Sequence, residues 1–335
     1  MTQPAAFSRA PALFRSRLAP HLLLLMVIVI WSVNAVVVKV GVSHVRPVPF
    51  TAARFLVGGV LLLAVARGRG YDVRRVPRLR MLAPAAILGI VINQLAFTYG
   101  VHLTTAVDVS LVMGLSPIAA AILVMLVSRR RLSPRTLVAI ALGFAGVVLV
   151  VMETARGQGQ GSLAGDLITL GAPLSWAGYL VLMAGESKRV PTTLATPWTI
   201  LVAVAVLVPL ALWQLPAGGD DWVGGLPALL YASVLATAVA YTAYFWALSK
   251  LGVTATAIYT YLQPAIGAAA GAILLHEHFT PWQALGAVAI LGAAYLGSWR
   301  RQAPNTRPEP GARTPAAPAP RGQAAHPASA REASG

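Results

Sequence analysis

Three side chains that carry a charge at neutral pH fall inside long apolar runs of this chain: Lys39, Arg54 and Asp108. A charge at the centre of a bilayer costs about 2.5–3.5 kcal/mol on insertion scales, so such groups pair, face water or bind something. Arg54 falls about two turns into its run and Asp108 about one turn into its own, at 3.6 residues per turn. They are opposite charges at comparable depth, and an ion pair between them in the outer half of the membrane is expected. The competing reading gives Arg54 the carboxylate of a solute and leaves Asp108 solvated at the mouth. Lys39 lies near the outer end of its run, where a lysine can snorkel to the interface. All three are candidates for gating or ion pairing.

Uncharged polar groups recur at helical spacing. Trp31 and Asn34 are three residues apart, as are Trp176 and Tyr179, so each pair shares one helical face. An amphipathic aromatic beside a hydrogen-bonding group suits a small organic solute, and buried packing is the alternative. Gln94 and Thr98 share a face, and Tyr241 and Phe245 hold the matching places in a later run; Gln94 and Tyr241 are candidates to line the same pocket. Thr256, Thr260, Gln263 and Gly267 are spaced four, three and four apart and form a small polar stripe; Val109, Met113, Ser116 and Ala120 form its less polar counterpart. Ser116, Thr260 and Gln263 could therefore line a pathway or act as interhelical hydrogen-bond glue. Gly267 and Gly271 form a G-x-x-x-G, read as close helix packing. Pro117 and Pro264 sit near the middle of their runs and predict kinks, leaving the carbonyls of Met113 and Thr260 without their usual donors. Such groups survive in lipid only against protein or a wet cavity. Asp166 begins another run, where a carboxylate suits a helix N-terminus.

The prolines also set a register. Subtracting 117 from 264 gives 147, and so does subtracting 134 from 281. Two landmarks in one register argue for a duplicated unit, as in many secondary transporters. Composition agrees: the chain has 335 residues, 57% hydrophobic and 11% charged, with mean hydropathy +0.71. A soluble domain carries about 25% charged residues. Runs of spanning length fall near 20–42, 47–66, 82–101, 104–127, 136–152, 164–184, 194–214, 224–248, 254–275 and 282–299. The expected architecture is an all-α integral membrane protein of ten transmembrane helices, arranged as two inverted five-helix repeats. The first repeat spans 20–152 and the second 164–299, joined by an external linker at 153–163. A cytoplasmic segment, 1–19, precedes them; a Pro-, Ala-, Gly- and Arg-rich tail, 300–335, follows and reads as disordered. No cleavable signal is expected, because the first run is too long and lacks a cleavage-site flank.

The net charge of +16 could suggest nucleic acid, but its distribution argues against that. Of 26 Lys and Arg, only Lys39, Arg46, Arg54 and Arg156 lie within spans or on the sparse side. The others fall in alternate loops and at the two termini, which by the positive-inside rule makes both termini cytoplasmic and places the protein in the cytoplasmic membrane. Five spans per half is odd, so the second half enters the membrane inverted. The basic loops face anionic lipid rather than nucleic acid.

Enzyme chemistry is disfavoured. No cysteine is present, which excludes disulfides, thiolate metal sites and cysteine nucleophiles. There is no G-x-x-x-x-G-K-[ST], so no nucleotide hydrolysis is expected. His276 and His278 are only a pair in a loop, and Ser116 has no histidine nearby in sequence. No metal and no cofactor are expected.

The order of these motifs resembles the drug/metabolite transporter superfamily, in its ten-helix EamA-like branch. The resemblance is carried by Trp31, Asn34, Lys39 and Gly41; by Ala52 to Leu56; by Asn93, Gln94, Tyr99 and Gly100; and by Leu115, Ser116 and Pro117. In the second half it is carried by Gly165, Asp166 and Trp176; by Ala247 and Leu248; by Tyr261 to Pro264; and by Glu277, Thr280 and Pro281. It covers about residues 20–299. It implies a transporter of small organic solutes, commonly an exporter of amino acids or other metabolites. The family often has Gly-Glu-Arg before each Thr-Pro, whereas here the two copies read Arg129, Arg130, Arg131 and His276, Glu277, His278. Asp108 stands where the family usually has a small apolar residue. The expected partners are a small-molecule substrate, the bilayer and a coupling proton or ion. Import, uncoupled movement, a channel mechanism and any oligomeric state stay open at this point.

Overall fold

A backbone in lipid must satisfy its own N–H and C=O groups, and a helix does so within one segment. The computed structural model describes residues 18–298 apart from 75, 129–133, 158–159, 187–190 and 216–217; these described residues form helices and turns, with no strand. In order the helices are α1 (Ala19–His44), α2 (Pro47–Gly68), α3 (Leu79–Ala86), α4 (Asn93–Leu103), α5 (Ala106–Met113), α6 (Ser116–Ser128), α7 (Pro134–Ala155), α8 (Leu163–Thr169), α9 (Gly171–Glu186), α10 (Thr192–Gln214), α11 (Trp222–Leu230), α12 (Ala240–Thr260), α13 (Gln263–Leu274) and α14 (Pro281–Ser298). Two π-helical segments, Ile87–Ile92 and Tyr231–Val239, join α3 to α4 and α11 to α12. Arg9, Arg15, Arg17, Arg129, Arg130, Arg131, Lys188, Arg189 and the tail 300–335 lie outside the described residues.

Six stretches are long and apolar enough to cross a membrane by length and composition: Ala19–His44, Pro47–Gly68, Leu82–Leu103, Pro134–Ala155, Thr192–Gln214 and Trp222–Leu251. The other expected runs are interrupted or shorter. The run at 104–127 breaks at Gly114–Leu115 between α5 and α6, and the run at 164–184 breaks at Leu170 between α8 and α9. The expected boundary between 224–248 and 254–275 moves: helix continues to Thr260 and the turn falls at Tyr261–Leu262. Residues 249–253 carry no proline to stop a helix, whereas Pro264 cannot donate to the Thr260 carbonyl.

Local breaks repeat at one interval. The π segments end at Ile92 and Val239, the mid-run turns fall at Gly114–Leu115 and Tyr261–Leu262, and α7 and α14 begin at Pro134 and Pro281. Each pair differs by 147 (239 minus 92, 261 minus 114, 281 minus 134). Helices α2 and α10 begin at Pro47 and Thr192, 145 apart (192 minus 47), the same interval that separates Trp31 from Trp176 (176 minus 31).

The main packing partners are α2 with α10, α7 with α14, α5 with α13, α1 with α12 and α13, and α9 with α4 and α6. Helices α5 and α13 meet closely: a Cβ on Gly267 would stand 2.6 Å from Ser110 Oγ. The G-x-x-x-G is therefore a packing face. At the same crossing Pro264 lies against Gly114, so the two mid-run turns meet each other. Around this interior, large hydrophobics such as Leu22, Phe144, Ile273 and Val288 are exposed, as a lipid-facing surface requires.

Candidate functional site

Arg54 lies inside the helix bundle, 5% exposed. Its guanidinium makes one hydrogen bond, Nη1 to Gln94 Oε1 at 3.5 Å, and its Cζ stands 4.8 Å from the centroid of the Phe55 ring. Nε is buried without a partner among the described residues. The Gln94 amide is aimed by a relay: its Nε2 donates to Asn93 Oδ1 at 2.6 Å, and Asn93 Nδ2 donates to the Ala172 carbonyl at 2.8 Å. That relay ties α4 to α9 and leaves Gln94 Oε1 pointing at Arg54. It follows directly on the π segment Ile87–Ile92, and such segments recur at functional sites.

Aromatic rings stand beside this cation. Tyr241 comes within electrostatic range of Arg54. Trp31 packs against Tyr241 and Tyr244 with ring centroids 5.5 and 5.1 Å apart, and Phe245 packs against both tyrosines at 6.2 and 5.7 Å. Trp31, Gln94, Tyr241, Tyr244 and Phe245 are all half-buried. Trp31 Nε1 donates to the Ala236 carbonyl at 2.9 Å, which fixes the indole to the second π segment. Trp176 and Tyr179 pack at 4.8 Å, with Tyr179 in electrostatic range of Tyr241 and Tyr244. Gly89 makes room for Tyr179, because any Cβ there would collide with its ring. Asn34 is buried on α1 one turn from Trp31, and its Oδ1 has no partner among the described residues.

A second polar group occupies one end of the bundle. Glu277 accepts from the backbone N–H of Ala106 and Val107, both at 2.9 Å, and so caps α5. An anion suits a helix N-terminus. His276 precedes it at φ 54°, the left-handed region, which turns the chain back over α5. Lys39 Nζ lies 3.4 Å from Glu277 Oε1 and donates to the Thr104 carbonyl. Asp108 accepts from Thr105 Oγ1 at 2.7 Å and Gln283 Nε2 at 2.8 Å, while its backbone N–H returns to Thr105 Oγ1 at 2.9 Å. Thr104 Oγ1 reaches Asp166 Oδ1 at 2.7 Å, and Thr280 Oγ1 donates to Glu153 Oε2 at 2.6 Å. These bonds bind the ends of α1, α5, α7, α8 and α14.

The structure therefore separates residues that sequence depth alone would group. Trp31, Gln94, Tyr241 and Arg54 come together. Lys39 and Asp108 belong to the end cluster. The expected Arg54–Asp108 ion pair is not formed: Asp108 is held by Thr105 and Gln283, and Arg54 faces Gln94. Equal depth did not mean a shared helix face. Lys39 pairs with Glu277. Asp166 sits in the first turn of α8 as expected, and it also bonds to Thr104. Ser116 donates to the Met113 carbonyl at 2.7 Å, supplying the partner that Pro117 removes. Thr260, Gln263 and Pro264 stand at the second turn; the side chain of Thr256 lies outside the described residues. Sequence reasoning missed Tyr244, and it named Asn93 and Glu277 only for the family resemblance and not as site residues. Tyr244 is three residues from Tyr241 and Asn93 adjoins Gln94, which are the signals that could have found them.

At the bundle end that carries Arg46, a fork of that arginine grips Asp220 through Nε at 3.0 Å and Nη2 at 2.8 Å. Hydrogen bonding from Arg46 holds the Asp220 carboxyl below the ordinary aspartate range.

The chain matches the model of the EamA-like transporter family over residues 18–152 and again over 163–299. It is 28% identical over 291 residues to a probable amino-acid metabolite efflux pump from Salmonella typhimurium, covering 82% of this chain and 93% of that protein. A probable amino-acid metabolite efflux pump from Escherichia coli is 27% identical over 303 residues, covering 83% and 96%. An uncharacterized transporter from Archaeoglobus fulgidus is 27% identical over 282 residues, covering 82% and 96%. A solved crystal structure aligns with a TM-score of 0.60 at 20% identity, over 84% of this chain and 96% of that one; at this identity the likeness concerns the fold alone.

Proposed function

We propose, from the premise that the chain belongs to the EamA-like transporter family, that it exports a small organic solute by alternating access. The solute is of the amino-acid or related-metabolite class, as the printed descriptions of the efflux-pump relatives suggest for their own substrates. The chain is a multi-pass membrane protein. Its ten spans form two inverted halves, 20–152 and 164–299, with both termini cytoplasmic.

Two observations support the halves. Helix breaks repeat at one interval along the chain. Packing also exchanges with the repeat: α2 with α10 and α7 with α14 pair mates to each other, while α1 with α12 and α13 becomes α9 with α4 and α6. A two-fold relation produces such a pattern.

The observation that carries transport is the half-buried aromatic wall with a polar group behind it, placed between helices of both halves. The end cluster that binds α1, α5, α7, α8 and α14 acts as the closed outer gate. Flux through reconstituted protein tests this. Saturable uptake accelerated by the same solute on the far side is expected; flux that never saturates would make the protein a channel. Reporter fusions after Gly218 and after Arg300 should fall on opposite sides of the membrane. Finding them on one side would remove the inverted halves.

A further inference from the structure

Arg54 is a cation sealed within the bundle with part of its hydrogen-bonding capacity unused. Among the described residues its one hydrogen bond is that from Nη1 to Gln94, and Nε is buried without a partner. No carboxylate lies within ion-pair distance: the ion pairs found among these residues are Lys39–Glu277, His44–Asp221 and Arg46–Asp220. The acids that depth alone would offer, Asp108 and Asp166, are held by Thr105, Gln283 and Thr104. A guanidinium can take a carboxylate through two parallel N–H donors, side-on at Nε and Nη2 or end-on at Nη1 and Nη2. Gln94 accepts from Nη1 and thereby orients the guanidinium, while among the described residues Nε is buried without a partner and no hydrogen bond from Nη2 is found. Tyr241 is in electrostatic range and continues into Trp31, Tyr244 and Phe245, an apolar wall for the rest of a ligand.

We propose that the Nε–Nη2 edge of Arg54 is the receptor for a carboxylate on the transported solute. The substrate class is then a carboxylate with an apolar or aromatic body, and Arg54 with Gln94 selects it over neutral and cationic analogues. This rests on the transporter reading above, whose failure is distinguishable from its own. Lysine would not replace Arg54, because an ammonium is a point charge without the planar fork.

The test is counterflow in proteoliposomes of the wild-type protein, using phenylalanine, leucine and alanine, each compared with its own carboxamide. The carboxamide keeps size and amine and removes only the anionic group. Hydrogen bonds to charged groups predict that at least one acid is preferred over its amide by about 10-fold or more in apparent affinity. Arg54→Gln should erase that preference, and Arg54→Lys should restore it only in part. The comparison on wild-type protein needs no variant, so a poorly folding variant does not protect the idea. Equal transport of acid and amide would overturn the carboxylate assignment and leave the transporter reading standing. A preference that survives Arg54→Gln in folded protein would move the receptor elsewhere. Absence of flux for every member of the panel would overturn both.

Discussion

The polar groups around Asp108 and those around Arg54 are both buried, yet they are built on opposite principles. Around Asp108 most polar groups find partners: Thr105, Gln283, Thr104, Asp166, Thr280, Glu153, Lys39 and Glu277 close on one another, although Asp166 Oδ2 is buried without a partner among the described residues. Around Arg54, a full charge meets one weak side-chain bond and aromatic faces. Buried polar groups that serve the fold are satisfied, because an orphan costs about 1–3 kcal/mol and more when charged. A cation left with an open edge has a reason outside the folded chain. The difference separates a cluster whose polar groups serve one another from a cation that the fold leaves underused, and on the proposed function the first closes the outer end and the second receives the solute.

The sharpest way to break this comparison is to neutralise each centre. Arg54→Gln should lower transport of a carboxylate solute by about 30-fold or more, since removing one partner of a buried charge pair costs about 2–5 kcal/mol. The same change should leave the melting temperature of the solute-free protein unchanged or raised, because it removes an uncompensated buried cation. A clear fall in melting temperature would give Arg54 a structural role. Asp108→Ala should do the reverse. It strands Thr105 and Gln283 and should cost about 2–3 kcal/mol of stability, while detergent-solubilised variant that remains folded binds solute with nearly unchanged affinity. Combining the two should give additive changes in stability, because the sites share no partner; a double variant better than the sum would revive a direct pairing.

A smaller effect should sharpen the picture of the central crossing. Gly267→Ala places a methyl 2.6 Å from Ser110 Oγ where the two mid-run turns approach. Overpacking of this kind costs about 1–3 kcal/mol, and thermal unfolding should register it alongside slower turnover.

How much of this was legible in sequence follows from what sequence encodes. Proline positions report helix breaks directly, so the repeat interval of Pro117 and Pro264 also locates the turns at Gly114–Leu115 and Tyr261–Leu262. Helical spacing placed Trp31 and Tyr241 on interior faces, and they meet. Similar distances from the ends of their runs suggested a pairing of Arg54 with Asp108 that the structure does not form. Distance along a helix says nothing about which neighbour its face will meet. The Lys39–Glu277 contact was hidden for another reason: Glu277 sits in a loop, and its approach to α5 depends on the left-handed turn at His276. Ser116 looked like a ligand group because it is polar beside a kink, but the kink itself creates the carbonyl it serves.

The smallest expected effect lies at the Arg46–Asp220 fork. Asp220 is held below its ordinary range chiefly by hydrogen bonding from Arg46. A lowered carboxylate contributes stability at neutral pH and loses it as pH falls through the folded value. Asp220→Asn should therefore lower the melting temperature slightly at pH 7, with the difference from wild type shrinking as pH falls below about 4 and vanishing below the folded value. A difference that persists or grows at lower pH would contradict the assignment.

The central claim is that the open edge of Arg54 is reserved for a solute's carboxylate, and an experimental structure with a transported acid bound tests it most directly. The prediction is a carboxylate with one oxygen on Nε and the other on Nη2 of Arg54, each at about 2.7–2.9 Å, and the apolar body against Trp31, Tyr241 and Tyr244. A bound acid whose carboxylate lies away from Arg54, with the Nε–Nη2 edge still unoccupied, would contradict it.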